Sequence, residues 1–156
     1  MISRMRKILP WIALAGAAAA LGACNSGSSN PPTPSGPCTL PSGTQVALVY
    51  PASGSTGITG TFGQVVIAST QSLGSNWNVV LTDAINPGGV PGGNFTTVTP
   101  PFPSPNATPS FANPVYESSS FSGLTFAASQ VISVYLNNTS TNCNPLSTPA
   151  IGSFST

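Results

Sequence analysis

Between residues 45 and 154 the apolar positions follow a period of two rather than the three to four of a helix. Short β-branched runs recur at Gln45–Tyr50, Gln64–Ala68, Trp77–Thr82, Phe95–Val98, Val115–Ser118, Gln130–Leu136 and Ile151–Phe154. Each is bounded by Gly, Pro, Asn or Ser, which supply turn conformations or withhold a ladder donor. No convincing helical stripe appears in any stretch beyond Cys24. Seven such strands predict an all-β domain, an antiparallel sandwich with alternate side chains turned into one core.

The first residues follow a different pattern. Arg4, Arg6 and Lys7 precede an apolar, alanine-rich run from Ile8 to Ala23. A basic start, an apolar stretch and small residues together read as an export leader. The run is too short and too rich in alanine for a membrane-spanning helix. At its end, Leu21-Gly22-Ala23-Cys24 resembles the lipobox of bacterial lipoproteins in every position. The resemblance implies a diacylglycerol thioether on Cys24, cleavage before it, and acylation of the new amino terminus. Two or three acyl chains hold a protein on a membrane, which one myristoyl chain does not. Asn25, where an aspartate would favour inner-membrane retention, points to the outer membrane of an organism that has two.

Asn25 to Pro37 contains only Asn, Ser, Gly, Pro and Thr. Burial there cannot offset the entropy of ordering, so the segment is expected to be a disordered tether, about 40 Å long when extended. The expected organisation is a leader over 1–23, the lipidated cysteine and tether over 24–37, and the sandwich over 38–156. With Cys24 acylated, Cys38 and Cys143 are the remaining cysteines, and export leads to an oxidising compartment. They are expected to form a disulfide, with both cysteines at one end of the sandwich if the penultimate strand runs beside the first.

Composition narrows the chemistry. Beyond residue 23 there is no Lys, Arg or His, and the carboxylates are Asp83 and Glu117. Without cations the domain cannot neutralise phosphates, so nucleic-acid binding is excluded. Serines lack a histidine or lysine to activate them, and zinc lacks its imidazole ligands. No catalytic residue, metal site or cofactor is therefore assigned. The two carboxylates, read as surface residues, leave one enzymatic alternative, a glycoside hydrolase using Asp83 and Glu117 as acid and nucleophile.

Tyr50-Pro-Ala-Ser-Gly-Ser-Thr-Gly-Ile58 is similar to the opening of bacterial immunoglobulin-like domains. Trp77 resembles their sandwich tryptophan, and Leu124–Leu136 resembles the E–F corner and F strand of fibronectin-type modules. The resemblance implies an immunoglobulin-like sandwich used as a spacer, adhesion unit or binding domain. The acidic turn residues usual in those domains are absent.

Two connections stand out. Asn86–Asn94 is dense in Gly and Pro and reads as a plain turn. Thr99–Pro114 carries Phe102 and Phe111 among six prolines. Exposed on a stiff loop, these rings would stack on a sugar or a partner chain; folded back, they would cap the open end of the sandwich. Three readings follow. The first is a non-enzymatic, lipid-anchored envelope module for spacing, adhesion or assembly. The second is a subunit that binds a neutral glycan or a peptide strand, its partner an envelope protein or glycan, through loop aromatics or an unpaired sheet edge. The third is the glycosidase.

Overall fold

The computed structural model describes residues 36–156. The leader, the lipobox with Cys24, and the tether up to residue 35 lie outside the described residues. Eight strands follow in chain order: β1 (Val46–Tyr50), β2 (Gln64–Ser69), β3 (Trp77–Thr82), β4 (Val90–Pro91), β5 (Thr96–Thr97), β6 (Val115–Ser120), β7 (Val131–Asn138) and β8 (Gly152–Ser155). A single 3-10 turn at Pro145–Ser147 is the only helical element among the described residues. No helix among them is long and apolar enough to cross a membrane.

The strands form two antiparallel sheets, ordered β1-β2-β6-β5 and β4-β3-β7-β8. This is the immunoglobulin-type division, A-B-E-D against C-F-G with one added strand beside C. All seven expected strands form, β3 with the expected ends and the others with one or both ends moved by one or two residues. The eighth, β4, lies inside the connection read as a plain turn. Val90 and Pro91 pair with Leu81 and Val80 because the edge of β3 is free to receive them. Pro91 suits that place, since an edge strand tolerates a missing donor.

The core follows from the alternation. On β7, Ile132, Val134 and Leu136 point inward and are buried. Val79 and Leu81 of β3, Val65 and Ile67 of β2, and Phe154 of β8 meet them from the facing positions. Trp77 is buried in the same core at the start of β3. Phe62 sits among three rings, with centroids 6.2 Å from Phe121, 5.8 Å from Phe126 and 5.3 Å from Phe154.

β2 breaks the alternation, for Val65 to Ser69 are all buried. The cause is a second apolar cluster on the outer face of its sheet. Val49, Val66 and Ala68 lie there beneath Tyr50, Val98, Phe102, Phe111 and Tyr116. The proline-rich segment 99–114 therefore straps the sheet face. It does not cap the open end of the sandwich, because the nearest uncovered apolar surface is the outer face of β1, β2 and β6.

Both open sides of the sandwich are closed by chain that changes sheets. After β1 the chain moves to β8: the amides of Gly54 and Ile58 donate to the Ser153 and Ser155 carbonyls at 2.6 and 3.1 Å. After β4 it moves the other way. Gly92 and Phe95 donate to β3 at Val79 and Trp77, Gly93 donates to Ser120 of β6, and Val98 donates to Tyr116. The outer edge of β1 is covered by the strap, where the Ala107 amide donates to the Val49 carbonyl at 2.9 Å. Segments of the chain itself thus cover the outer edges of β1 and β8, where an incoming strand would pair, and the other side ends in β4 and β5, of two residues each.

Candidate functional site

One end of the sandwich is tied by a covalent bridge. Cys38 and Cys143 are joined by a disulfide, with Cα atoms 4.9 Å apart and 105 residues between them in sequence. The expected reason for their proximity does not hold, because β7 and β1 lie in different sheets. Cys38 instead meets the β7–β8 connection directly. Pro37 bridges to Asn144, and the Asn144 amide donates to the Gly36 carbonyl at 2.7 Å. Asn144 also caps the 3-10 turn, accepting from the Leu146 amide at 3.0 Å. A cleft of about 370 Å³ lies here, lined by Gly36, Pro37, Thr39, Asn138, Thr141 and Cys143 among others. Its lining has no ionisable side chain, since Cys143 is held in the disulfide.

The carboxylates are not surface residues. Glu117 is 1% exposed and Asp83 is 7% exposed. Glu117 pairs with Ile67 across β6 and β2, so its side chain enters the sandwich rather than leaving it. There it accepts three hydrogen bonds from the β2–β3 connection: Ser72 Oγ at 2.7 Å, the Leu73 amide at 2.9 Å and the Gly74 amide at 2.9 Å. Asp83 follows the other end of β3. Its Oδ1 accepts from the backbone amides of Ile85 and Asn86 and from the Asn86 side-chain amide, fixing the turn towards β4. Asp83 Oδ2 is buried and has no partner.

The two carboxylates do not form a pair. Gly74 precedes the start of β3 and Asp83 follows its end, and this strand of six residues spans about 20 Å. Glycoside hydrolysis places its two carboxyl groups within about 10 Å of each other. Each carboxylate here is engaged with a loop backbone instead. Sequence reasoning missed this use because a carboxylate in a charge-poor chain gives no sign of whether amides or water will receive it.

Phe102 and Phe111 belong to the strap and are half-buried against the sheet face beneath it, and the Phe102 ring lies 5.0 Å from that of Tyr116. Asn106 holds the strap's bend by donating to the carbonyls of Phe102 and Pro103 at 3.2 and 3.0 Å. Stacking on a ligand through these rings would require lifting them from the sheet. A further cleft of about 430 Å³ opens at the far end, lined by Ile58, Thr59, Thr61, Thr125, Phe126 and Thr156 among others. No group of three or more His, Cys, Asp or Glu able to hold a metal occurs among the described residues.

The chain matches no protein-family model, no curated protein and no solved structure. The functional reading therefore rests on its own residues.

Proposed function

We propose that this chain is a lipid-anchored module of a bacterial cell envelope, acylated on Cys24 and without catalytic activity of its own. Its sandwich serves spacing, adhesion or assembly. The observation that carries the reading is Leu21-Gly22-Ala23-Cys24 at the end of a basic, then apolar, leader. The described fold supports it. A spacer of small polar residues leads from Cys24 to Cys38, and the disulfide lies at the point where that spacer joins the sandwich. Pull on the anchor is thereby delivered to the β7–β8 connection as well as to β1. Delivery to an outer membrane is part of the proposal, on Asn25 following the cysteine.

The experiment is metabolic acyl labelling of the full chain, followed by detergent phase separation. The label should reside on Cys24, and the protein should partition into the detergent phase. Unlabelled protein in the aqueous phase, cleaved at another position, would remove the anchor and the reading with it.

A further inference from the structure

The strap sorts its side chains by where they lie. Phe102 and Phe111 lean on the sheet, whereas Thr99, Ser104, Thr108 and Ser110 are exposed. None of these four hydroxyls makes a hydrogen bond to the described residues, and each has a proline as chain neighbour. By contrast, the buried hydroxyls of Ser69 and Ser119 donate to the carbonyls of Gln71 and Gly93 at 2.7 and 2.6 Å. The strap's backbone is fixed from beneath. The Ala107 amide donates to Val49, and the Ala52 amide donates to the Pro105 carbonyl at 3.0 Å. The segment is thus held in place while its four hydroxyls stand free in solvent. Its sequence also recurs. Pro100-Pro101-Phe102-Pro103-Ser104 differs from Pro31-Pro32-Thr33-Pro34-Ser35 of the tether only at the central residue, and Thr108-Pro109-Ser110 repeats Thr33-Pro34-Ser35.

We propose that the strap is a modification site, its exposed hydroxyls acceptors of O-linked sugar. Open segments rich in Ser, Thr and Pro are the usual acceptors of such sugars. The repeat gives one transferase the same short sequence to read in the tether and in the strap. Two observations select a neutral sugar over a phosphate. Beyond residue 23 there is no Lys, Arg or His, so a phosphate on the strap would find no cation to receive it. The surface also lacks the charges that keep domains apart in water, since Glu117 and Asp83 are both buried. Sugars are bulky and solubilising, and supply that separation without charge. The other kind of acceptor on the strap is the amide of Asn106. Its Nδ2 is engaged with the Phe102 and Pro103 carbonyls, which leaves the hydroxyls as the open acceptors.

The co-reactant is a lipid-linked sugar phosphate, reachable from the membrane on which the chain is proposed to be anchored. A strap hydroxyl oxygen bonds to the anomeric carbon of the sugar. The bond from that carbon to the phosphate oxygen breaks, and its electron pair leaves with the phosphate. The hydroxyl proton passes to a base of the transferase, and nothing is oxidised or reduced. The choice of donor rests on the proposed export and anchor, so the test reads the anchor separately.

The full chain is recovered from the cells that make it, and its mass is measured intact and after peptic cleavage. The same sample is read for acyl label on Cys24. Peptides from residues 99–114 should carry whole-sugar masses on at least one of the four hydroxyls, placed by fragmentation that spares the glycosidic bond. Joint replacement by Thr99→Ala, Ser104→Ala, Thr108→Ala and Ser110→Ala should remove every sugar from the strap. It removes no hydrogen bond, so the variant should keep the parent's β-type circular dichroism. A bare strap, sugar confined to the tether, sugar on Asn106 or additions of phosphate mass each overturn the proposal. The two readings fail separately. Sugar on the strap of cleaved but unlabelled protein supports the modification while the anchor fails. A bare strap on labelled protein keeps the anchor and overturns the modification.

Discussion

Glu117 of β6 accepts the backbone amide of Leu73 at 2.9 Å, joining the middle of one sheet to the connection that leads into the other. Few residues could do this. The Leu73 and Gly74 amides and the Ser72 hydroxyl all point at one spot inside the sandwich, and a carboxylate receives all three. The desolvation of a buried carboxylate is tolerable because hydrogen bonds from amides replace water.

Glu117→Gln turns one of those acceptors into a donor facing a donor. Unfolding by denaturant should show a loss of about 2–3 kcal/mol, the cost of a buried group left unsatisfied. Asp83→Asn keeps the Oδ1 acceptor and its turn bonds, so it should cost about 1 kcal/mol or less. The sites are far enough apart for the two effects to add. Equal losses at the two positions would show that burial alone, rather than the bonds received, governs the carboxylates.

The strands were legible because their alternation is local, but three features depend on tertiary contact. The sequence Gly-Gly-Val-Pro-Gly-Gly around Val90 has no strand propensity, and β4 exists because β3 has an unpaired edge. The burial of Val66 and Ala68 on the wrong face of β2 follows from a strap about 35 residues later. The carboxylates looked like surface residues because nothing local marks the amides that receive them. For the candidate site, the Cys38–Cys143 pairing was readable by counting cysteines. Its route across two sheets was not, since neighbouring strands cannot be inferred from chain order alone.

The disulfide closes a loop of 105 residues, for which the chain-entropy account gives roughly 4–5 kcal/mol. Cys143→Ser should lower unfolding free energy by about 2–5 kcal/mol. The β-type circular dichroism of the folded fraction should be unchanged, because both sheets keep their ladders. Two free thiols in non-reduced protein from the envelope, read by mass spectrometry, would contradict the bridge.

Cys24→Ala removes the sulfur to which the acyl chains are proposed to attach. The variant should lose the acyl label and accumulate as uncleaved or miscleaved precursor, while its folded domain keeps the protected amides of β2 and β7 in hydrogen exchange. A variant that still partitions fully into detergent with normal label would show that Cys24 is not the anchor.

Gly92 tests the segment that changes sheets after β4. Its amide donates to the Val79 carbonyl at 2.8 Å and its carbonyl accepts from Asn78 Nδ2 at 2.9 Å, which fixes it against β3. A Cβ added there would lie 2.3 Å from Ser119 Oγ and 2.7 Å from the Phe121 ring, both inside normal contact. Ser119 cannot withdraw easily, since its hydroxyl donates to the Gly93 carbonyl at 2.6 Å and accepts from the Val79 amide at 3.3 Å. Phe121 is held by the Phe62 ring. Gly92→Ala should therefore destabilise the domain by about 1–3 kcal/mol, as overpacking in a filled core does. Gly88→Ala serves as the control: its added Cβ meets nothing within 4 Å, and its effect should stay within about 0.5 kcal/mol. In hydrogen exchange the extra opening in Gly92→Ala should appear first at Gly93 and Phe95, whose amides bind opposite sheets. If Gly92→Ala and Gly88→Ala unfold at the same denaturant concentration, the crossing segment does not pack as described.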